Sequence, residues 1–265
     1  MTLLDDSRAL QLGLGELTTL TVNDLALVWR SLYDAGGDPI ELRDALLQAV
    51  PDILIPYETA AGELTASWYE DLAPRSRFIA KPAEVSATEA VAASTRWALS
   101  PLFTPGNDTS PLSLLSGMAK RRVFNASRQT VLDNAAREGD VQYARYASKT
   151  ACEFCRLLAT RGAVYGSKEA ATRVAGRGKD VSTNMRADGR RKRGGQAGGV
   201  RVRGNQKSGD RFHDNCKCIA VAVRPGTNYE PPSYVQQWDE EYIEASRGGG
   251  GTKAILARMR AAEQQ

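Results

Sequence analysis

The residues of this chain best suited to chemistry are its four cysteines and its single histidine. They fall in two clusters, Cys152-Glu-Phe-Cys155 and His213-Asp-Asn-Cys216-Lys-Cys218. A thiol can act as nucleophile, redox centre or soft metal ligand, and the spacing selects among these. Two cysteines two residues apart let the backbone turn in a tight knuckle that aims both sulfurs at one ion about 2.3 Å away. One knuckle supplies half of a tetrahedral site, and the second cluster offers three donors for the two remaining places. His213 and Cys216 repeat the two-residue spacing and form the expected second pair. Cys218, two residues further on, either replaces Cys216 or is spare. The pattern predicts a closed structural site for Zn2+ or a comparable thiophilic ion, drawn from Cys152, Cys155, His213, Cys216 and Cys218.

The alternatives are weaker on the residues themselves. Disulfide frameworks belong to small secreted scaffolds rather than to a 265-residue chain with four clustered cysteines. A thioredoxin-type redox pair would leave the second cluster without a role. Loose buried cysteines or a regulatory disulfide are the simpler competing readings. Enzymatic chemistry fits poorly. A metal-dependent nuclease of the finger type needs a free histidine as general base, and the one histidine belongs to the cluster. A Cys–His protease would need both groups free of metal. A closed four-ligand zinc has no open position to activate water, so the expectation is a protein that works by binding, without catalytic turnover.

The elements that must position these ligands follow from composition and pattern. Apolar residues make up 42% and charged residues 25% of the chain, enough for one large domain or two small ones. No stretch approaches 18 uninterrupted apolar residues, and Met1-Thr-Leu-Leu-Asp-Asp6 lacks the pattern of a secretory signal. The expectation is synthesis in a reducing cytoplasm, with no membrane partner. The net charge of +4 conceals an asymmetry. Residues 1–148 carry 13 Lys/Arg and 19 Asp/Glu, a balance of −6, and residues 149–265 carry 22 and 12, a balance of +10. Such a split suggests different partners for the two halves.

Residues 1–139 read as an all-α unit. Thr21 or Asn23 is placed to cap a helix through Tyr33, ended by Gly36-Gly37. Asp38-Pro39 restarts the chain, Pro51 is expected to interrupt it, and a further helix from Ile53 to Asp71 is expected to break or kink at Pro56. Ser86 and Glu89 form a Ser-x-x-Glu capping box for a helix from Ala87 to Leu99. Ser113 to Glu138 is a long helix ending at Gly139, with Lys120, Arg121, Arg122 and Arg128 read as a solvated face.

From residue 140 the character changes. Val141 to Ala147 alternates as a strand, Arg156 to Ala159 is a short helical stretch, Arg161 to Gly166 reads as a turn and short strand, and Cys218 to Val223 is the most β-like run. Residues 140–230 are thus expected to be a small β-rich module held by metal, because such a module buries too little core alone. Residues 161–211 hold 14 Lys/Arg, 4 Asp/Glu and 11 glycines, and are expected to be a flexible basic insert. Arg190, Arg191, Lys192, Arg193, Arg201 and Arg203 are its candidate contacts to nucleic-acid phosphates, nonspecific because aromatic residues for base stacking are scarce. The simpler reading is a solubilising loop. Residues 231–265 supply an amphipathic helix from Tyr234 to Ser246, a linker at Gly248–Gly251 and a terminal helix from Thr252 that either docks or frays. The fold class is α+β.

Cys152-x-x-Cys155, Arg161-Gly-Ala-Val-Tyr165 and His213-Asp-Asn-Cys216-x-Cys218 at the head of a strand resemble the MuF-like minor head proteins of tailed bacteriophages, most closely the actinobacteriophage type. The specific motif lies within 141–223, and the helical half in front of it matches in architecture. The resemblance implies a low-copy capsid protein, made in the host cytoplasm, that associates with the portal and with packaged DNA inside the capsid. A fused maturation protease or C-terminal toxin, which some relatives carry, is not expected within these 265 residues, and the basic insert is foreign to the motif. The competing classes are a nucleic-acid-binding zinc protein of other purpose and a metal-dependent nuclease.

Overall fold

The computed structural model describes residues 3–163, 173–180, 200–207, 216–227 and 229–263; 173–180 and 200–207 are described by backbone and pairing alone. The chain is mostly helical, with a small two-stranded antiparallel sheet in its C-terminal part.

Helix α1 runs from Leu3 to Asp34, so Thr21 and Asn23 lie inside it instead of capping it. The reason is local. Ser7, Thr18 and Thr21 are buried and satisfy their hydroxyls on the carbonyls of Leu3, Leu14 and Leu17, one turn back, which frees them to sit mid-helix. Helix α2, Pro39–Asp71, starts on an Asp38 cap whose Oδ1 accepts from Ile40 and Glu41 at 2.7 and 2.9 Å. The interruptions expected at Pro51 and Pro56 do not occur, and both prolines sit within the continuous helix. An interior proline costs about 3 kcal/mol, but here Val50, Pro51 and Leu54 are all buried, and that packing offsets the lost backbone bond.

Helix α3 is Thr88–Ala98, capped at Ala87 without a side-chain bond. The expected Ser86–Glu89 box is absent because the Ser86 amide donates to Glu58 Oε2 at 2.9 Å, which fastens the segment to α2. A 3-10 turn, Ser100–Phe103, leads to α4, Pro111–Glu138, which begins on Ser110 and stops at Gly139. The basic residues of α4 do not form one solvated face. Arg128 is buried, and the half-buried Arg122 bonds Glu58 at 3.2 Å, the Ala90 carbonyl at 2.7 Å and Ser94 Oγ at 3.0 Å.

Strand β1, Gln142–Tyr146, pairs antiparallel with β4, Ile219–Val223, in the register Gln142↔Val223 to Tyr146↔Ile219. Nearly every residue of both strands is buried. A pair this small is marginal in water, and one hydrophobic core supports it by joining Tyr143, Tyr146 and Ile219–Ala222 to Leu10, Leu14, Tyr69, Phe124 and Val131 of α1, α2 and α4. A second core, with Leu25, Leu46, Leu54, Leu99, Leu115 and Met118, fills the other end of the helices.

Short helix α5 is Glu153–Ala159. Within the stretch expected to be irregular, β2 (Arg173–Asp180) and β3 (Val200–Lys207) pair antiparallel with two register shifts, a ribbon consistent with the alternating Val200-Arg-Val-Arg203. Residues 161–163 form the expected turn, and 164–166, where the short strand is expected, lie outside the described residues. Helix α6, Tyr234–Arg247, and α7, Thr252–Glu263, pack on each other and on α5 through Leu157, Tyr242, Ala245 and Met259. The Gly248–Gly251 link is an ordered turn, with the Gly249 amide donating to the Ser246 carbonyl at 3.1 Å, and α7 docks instead of fraying.

Candidate metal centre

Two local structures bring the cysteines together. On one side Cys152 caps α5, and the Arg156 amide donates to its carbonyl at 2.9 Å, so Cys155 falls in the first turn and points inward. On the other side Cys216 and Cys218 lead directly into β4, which is held against β1 and α4. The Sγ atoms of Cys155 and Cys216 lie 3.4 Å apart, and those of Cys155, Cys216 and Cys218 all fall within 4.8 Å of one another. Four thiolates around one zinc at 2.3 Å have sulfurs about 3.8 Å apart, so these three already stand at ligand spacing. All four cysteines are free thiols. Cys152 is half-buried and hydrogen-bonded to Cys155.

The second cluster is braced from outside the module. Arg128 of α4 donates from Nη2 to the Cys216 carbonyl at 2.8 Å and from Nε to the Cys218 carbonyl at 2.7 Å. Gln11 of α1 donates from Nε2 to the Lys217 carbonyl at 2.7 Å. Three consecutive carbonyls are thereby fixed by two helices of the N-terminal half. The first cluster is braced by Arg156, whose Nε donates to the Ala151 carbonyl at 2.7 Å and whose guanidinium lies 5.5 Å from the Trp238 ring centre. Ala147, Ala151, Ala159, Val235 and Trp238 close the surroundings with apolar surface.

Charge is shared unevenly among the sulfurs. Hydrogen bonds with Cys152, then Cys216, push the Cys155 thiol far above its ordinary range, and burial adds to this. Hydrogen bonds from Cys155 and Cys218, helped by the nearby Arg128 cation, pull Cys216 well below it. A cluster that favours one thiolate among close thiols is chemically suited to exchange its protons for a soft cation. With Cys155, Cys216 and Cys218 only 2, 4 and 2% exposed, the arrangement suits a closed structural site better than an open catalytic one.

The residues expected from the sequence divide three ways. Cys155, Cys216 and Cys218 converge, with Cys152 beside Cys155. His213 lies outside the described residues, as do Arg190, Arg191, Lys192 and Arg193. Arg201 and Arg203 sit on β3, opposite Lys179 and Gly176 of β2. The bracing roles of Arg128, Gln11 and Arg156 do not follow from the sequence pattern. Arg128 alone carries a signal, since it falls at helical spacing from Phe124 and Val131, on an otherwise apolar face.

Among the described residues no helix is long and apolar enough to cross a membrane. No curated protein and no solved structure matches the chain. The family model of the VG15 protein matches residues 1–245, which include both cysteine clusters and every helix of the N-terminal half. The chain therefore belongs to the VG15 protein family, a viral family of phages.

Proposed function

We propose that this phage protein is a minor, portal-associated component of the head, that it contacts packaged DNA, and that it works by binding, without turnover. The observation that carries the reading is the convergence of Cys155 with Cys216 and Cys218 across 61 residues of sequence. It joins the two cysteine pairs that carry the resemblance to MuF-like head proteins, in a chain of a phage family. Cys152, Cys155, Cys216 and Cys218 hold the ion, Cys218 taking the place first given to His213. When bound, Zn2+ supplies folding free energy and rigidity to a module whose described strands form two-stranded sheets. The residues around it fix the cysteines, exclude water and keep the C-terminal helices on α5.

The acidic helical half docks on a protein ring such as the portal, and the basic half faces DNA in the capsid interior. The ribbon supports the second part. Its register opposes Arg173 to Lys207 and Lys179 to Arg201. The two paired strands carry Arg173, Arg177, Lys179, Arg201, Arg203 and Lys207, a basic ribbon suited to a polyanion whose binding releases counterions.

The test is a mass-spectrometric inventory of purified particles, with and without the Cys152/Cys155 knuckle. The protein is expected in wild-type heads and depleted from knuckle-deficient ones, which should assemble poorly. Absence from wild-type particles would overturn the reading. So would normal knuckle-deficient particles that contain the protein and have lost an enzymatic activity.

A further inference from the structure

We propose that Arg128 is the buried counter-ion of the cysteine centre and couples metal binding to the docking of the helical half on the sheet. The inference rests on the metal reading above and adds a residue 88 and 90 positions away from the ligands it serves.

Arg128 is 3% exposed, in the middle of α4. Removing a guanidinium from water is unfavourable unless hydrogen bonds and an opposite charge replace the solvent. Hydrogen bonds run from Nε to the Cys218 carbonyl, from Nη2 to the Cys216 carbonyl and from Nη1 to Asn125 Oδ1 at 2.8 Å, with the Phe124 ring centre 5.5 Å away. Each of these acceptors is neutral. Burial works against the Arg128 cation, and the sulfur cluster whose Cys216 and Cys218 carbonyls it holds supplies a negative charge beside it, centred on Cys216. Four thiolates on one divalent ion leave a net charge of −2.

The same two carbonyl bonds carry a mechanical link. They fix the turn Cys216-Lys217-Cys218, so the direction in which both thiols point depends on where α4 lies. Phe124 and Val131, one turn to either side of Arg128, pack in the core shared with Ile219 and Val221 of β4. Metal binding and the seating of α4 on β4 therefore favour each other, and the coupling is reciprocal. Partners of metal ligands commonly change metal affinity 10–100-fold when removed.

The test uses the full chain, stripped of metal and titrated with Zn2+ against a chromophoric chelator. Co2+ serves as a spectroscopic probe of the thiolates. Arg128→Lys keeps the charge and loses the fork, whereas Arg128→Gln keeps hydrogen bonding and loses the charge. The expected order of affinity is wild type, then Lys, then Gln, with Gln weaker than wild type by roughly 10–100-fold and its Co2+–thiolate charge-transfer band shifted. Wild-type affinity in Arg128→Gln, or equal losses in Lys and Gln, would overturn the counter-ion role. Should Arg128→Gln fail to fold by circular dichroism, hydrogen exchange of residues 124–131 in the wild-type chain decides. Protection should rise on adding Zn2+, and unchanged protection would overturn the coupling. A wild-type chain that binds no metal would instead remove the metal reading itself.

Discussion

Arg224, one residue past β4, grips Glu138, the last residue of α4, with Nε 2.8 Å from Oε1 and Nη2 3.0 Å from Oε2. Tyr69 of α2 donates its hydroxyl to the same Oε2 at 2.7 Å, and the Arg224 guanidinium lies 4.6 Å from the Tyr69 ring centre. One carboxylate thus joins the second helix, the fourth helix and the sheet, at the opposite end of β4 from the cysteines. Burial works against ionisation of Glu138, but the bonds from Arg224 and Tyr69 outweigh it and hold its pKa below the ordinary 4.5. For a depressed carboxylate, the stabilisation is present above the unfolded-state pKa and disappears as pH falls through the folded value.

Glu138→Gln should therefore cost about 1–3 kcal/mol at pH 7, the loss of charge-assisted bonds. The difference from wild type should shrink as pH drops below about 4.5. Urea denaturation of both chains at pH 7 and at pH 3.5 checks this, and a difference of equal size at both pH values contradicts it.

Gly139 ends α4 with φ 76° and ψ 152°, a region essentially restricted to glycine. Open space surrounds the position where a Cβ would project, so substitution there adds backbone strain and no clash. Gly139→Ala should cost about 1–3 kcal/mol. Gly15→Ala, inside α1 with equally open space and ordinary φ, should instead stabilise by about 0.5–1 kcal/mol. Thermal melts of the two variants should move in opposite directions.

Removing the metal should loosen the sheet and the C-terminal helices first. Elemental analysis of reduced, freshly purified protein should find one zinc per chain. After chelation, near-ultraviolet dichroism from Tyr143, Tyr146, Tyr234 and Trp238 should weaken, while the far-ultraviolet signal of the long helices largely persists. A chelated chain with an unchanged near-ultraviolet spectrum would show that the cysteines pack adequately without an ion.

Much of this organisation is legible in residue order because it is local. The Asp38-Pro39 start and the Gly139 stop are written in adjacent residues, and the Cys-x-x-Cys knuckle in four. What escapes is tertiary. Pro51 reads as a break in isolation, yet packing in the bundle keeps it helical. Thr21 reads as a cap until the Leu17 carbonyl takes its hydroxyl. Arg128 reads as a surface charge despite its spacing from Phe124 and Val131, because the carbonyls of Cys216 and Cys218 that accept its hydrogen bonds arrive from 88 and 90 residues away. The roles of Gln11 and Arg224 likewise depend on partners 206 and 86 residues away, which no periodicity records.

The basic insert offers a measurement independent of the metal. If it binds packaged DNA through phosphates, affinity should be nearly indifferent to sequence and fall steeply with salt, because each neutralised phosphate releases counterion with a slope of about −0.9. Replacing Arg190, Arg191, Lys192 and Arg193 together by Ser should flatten the slope by roughly one unit for each phosphate no longer neutralised. Replacing Arg201 and Arg203 of β3 should flatten it too. The second pair of substitutions is expected to weaken DNA binding as well as to flatten the slope. Fluorescence anisotropy on two unrelated duplexes, from low to physiological salt, reads both effects. An unchanged slope in both variants would assign the insert to solubility alone.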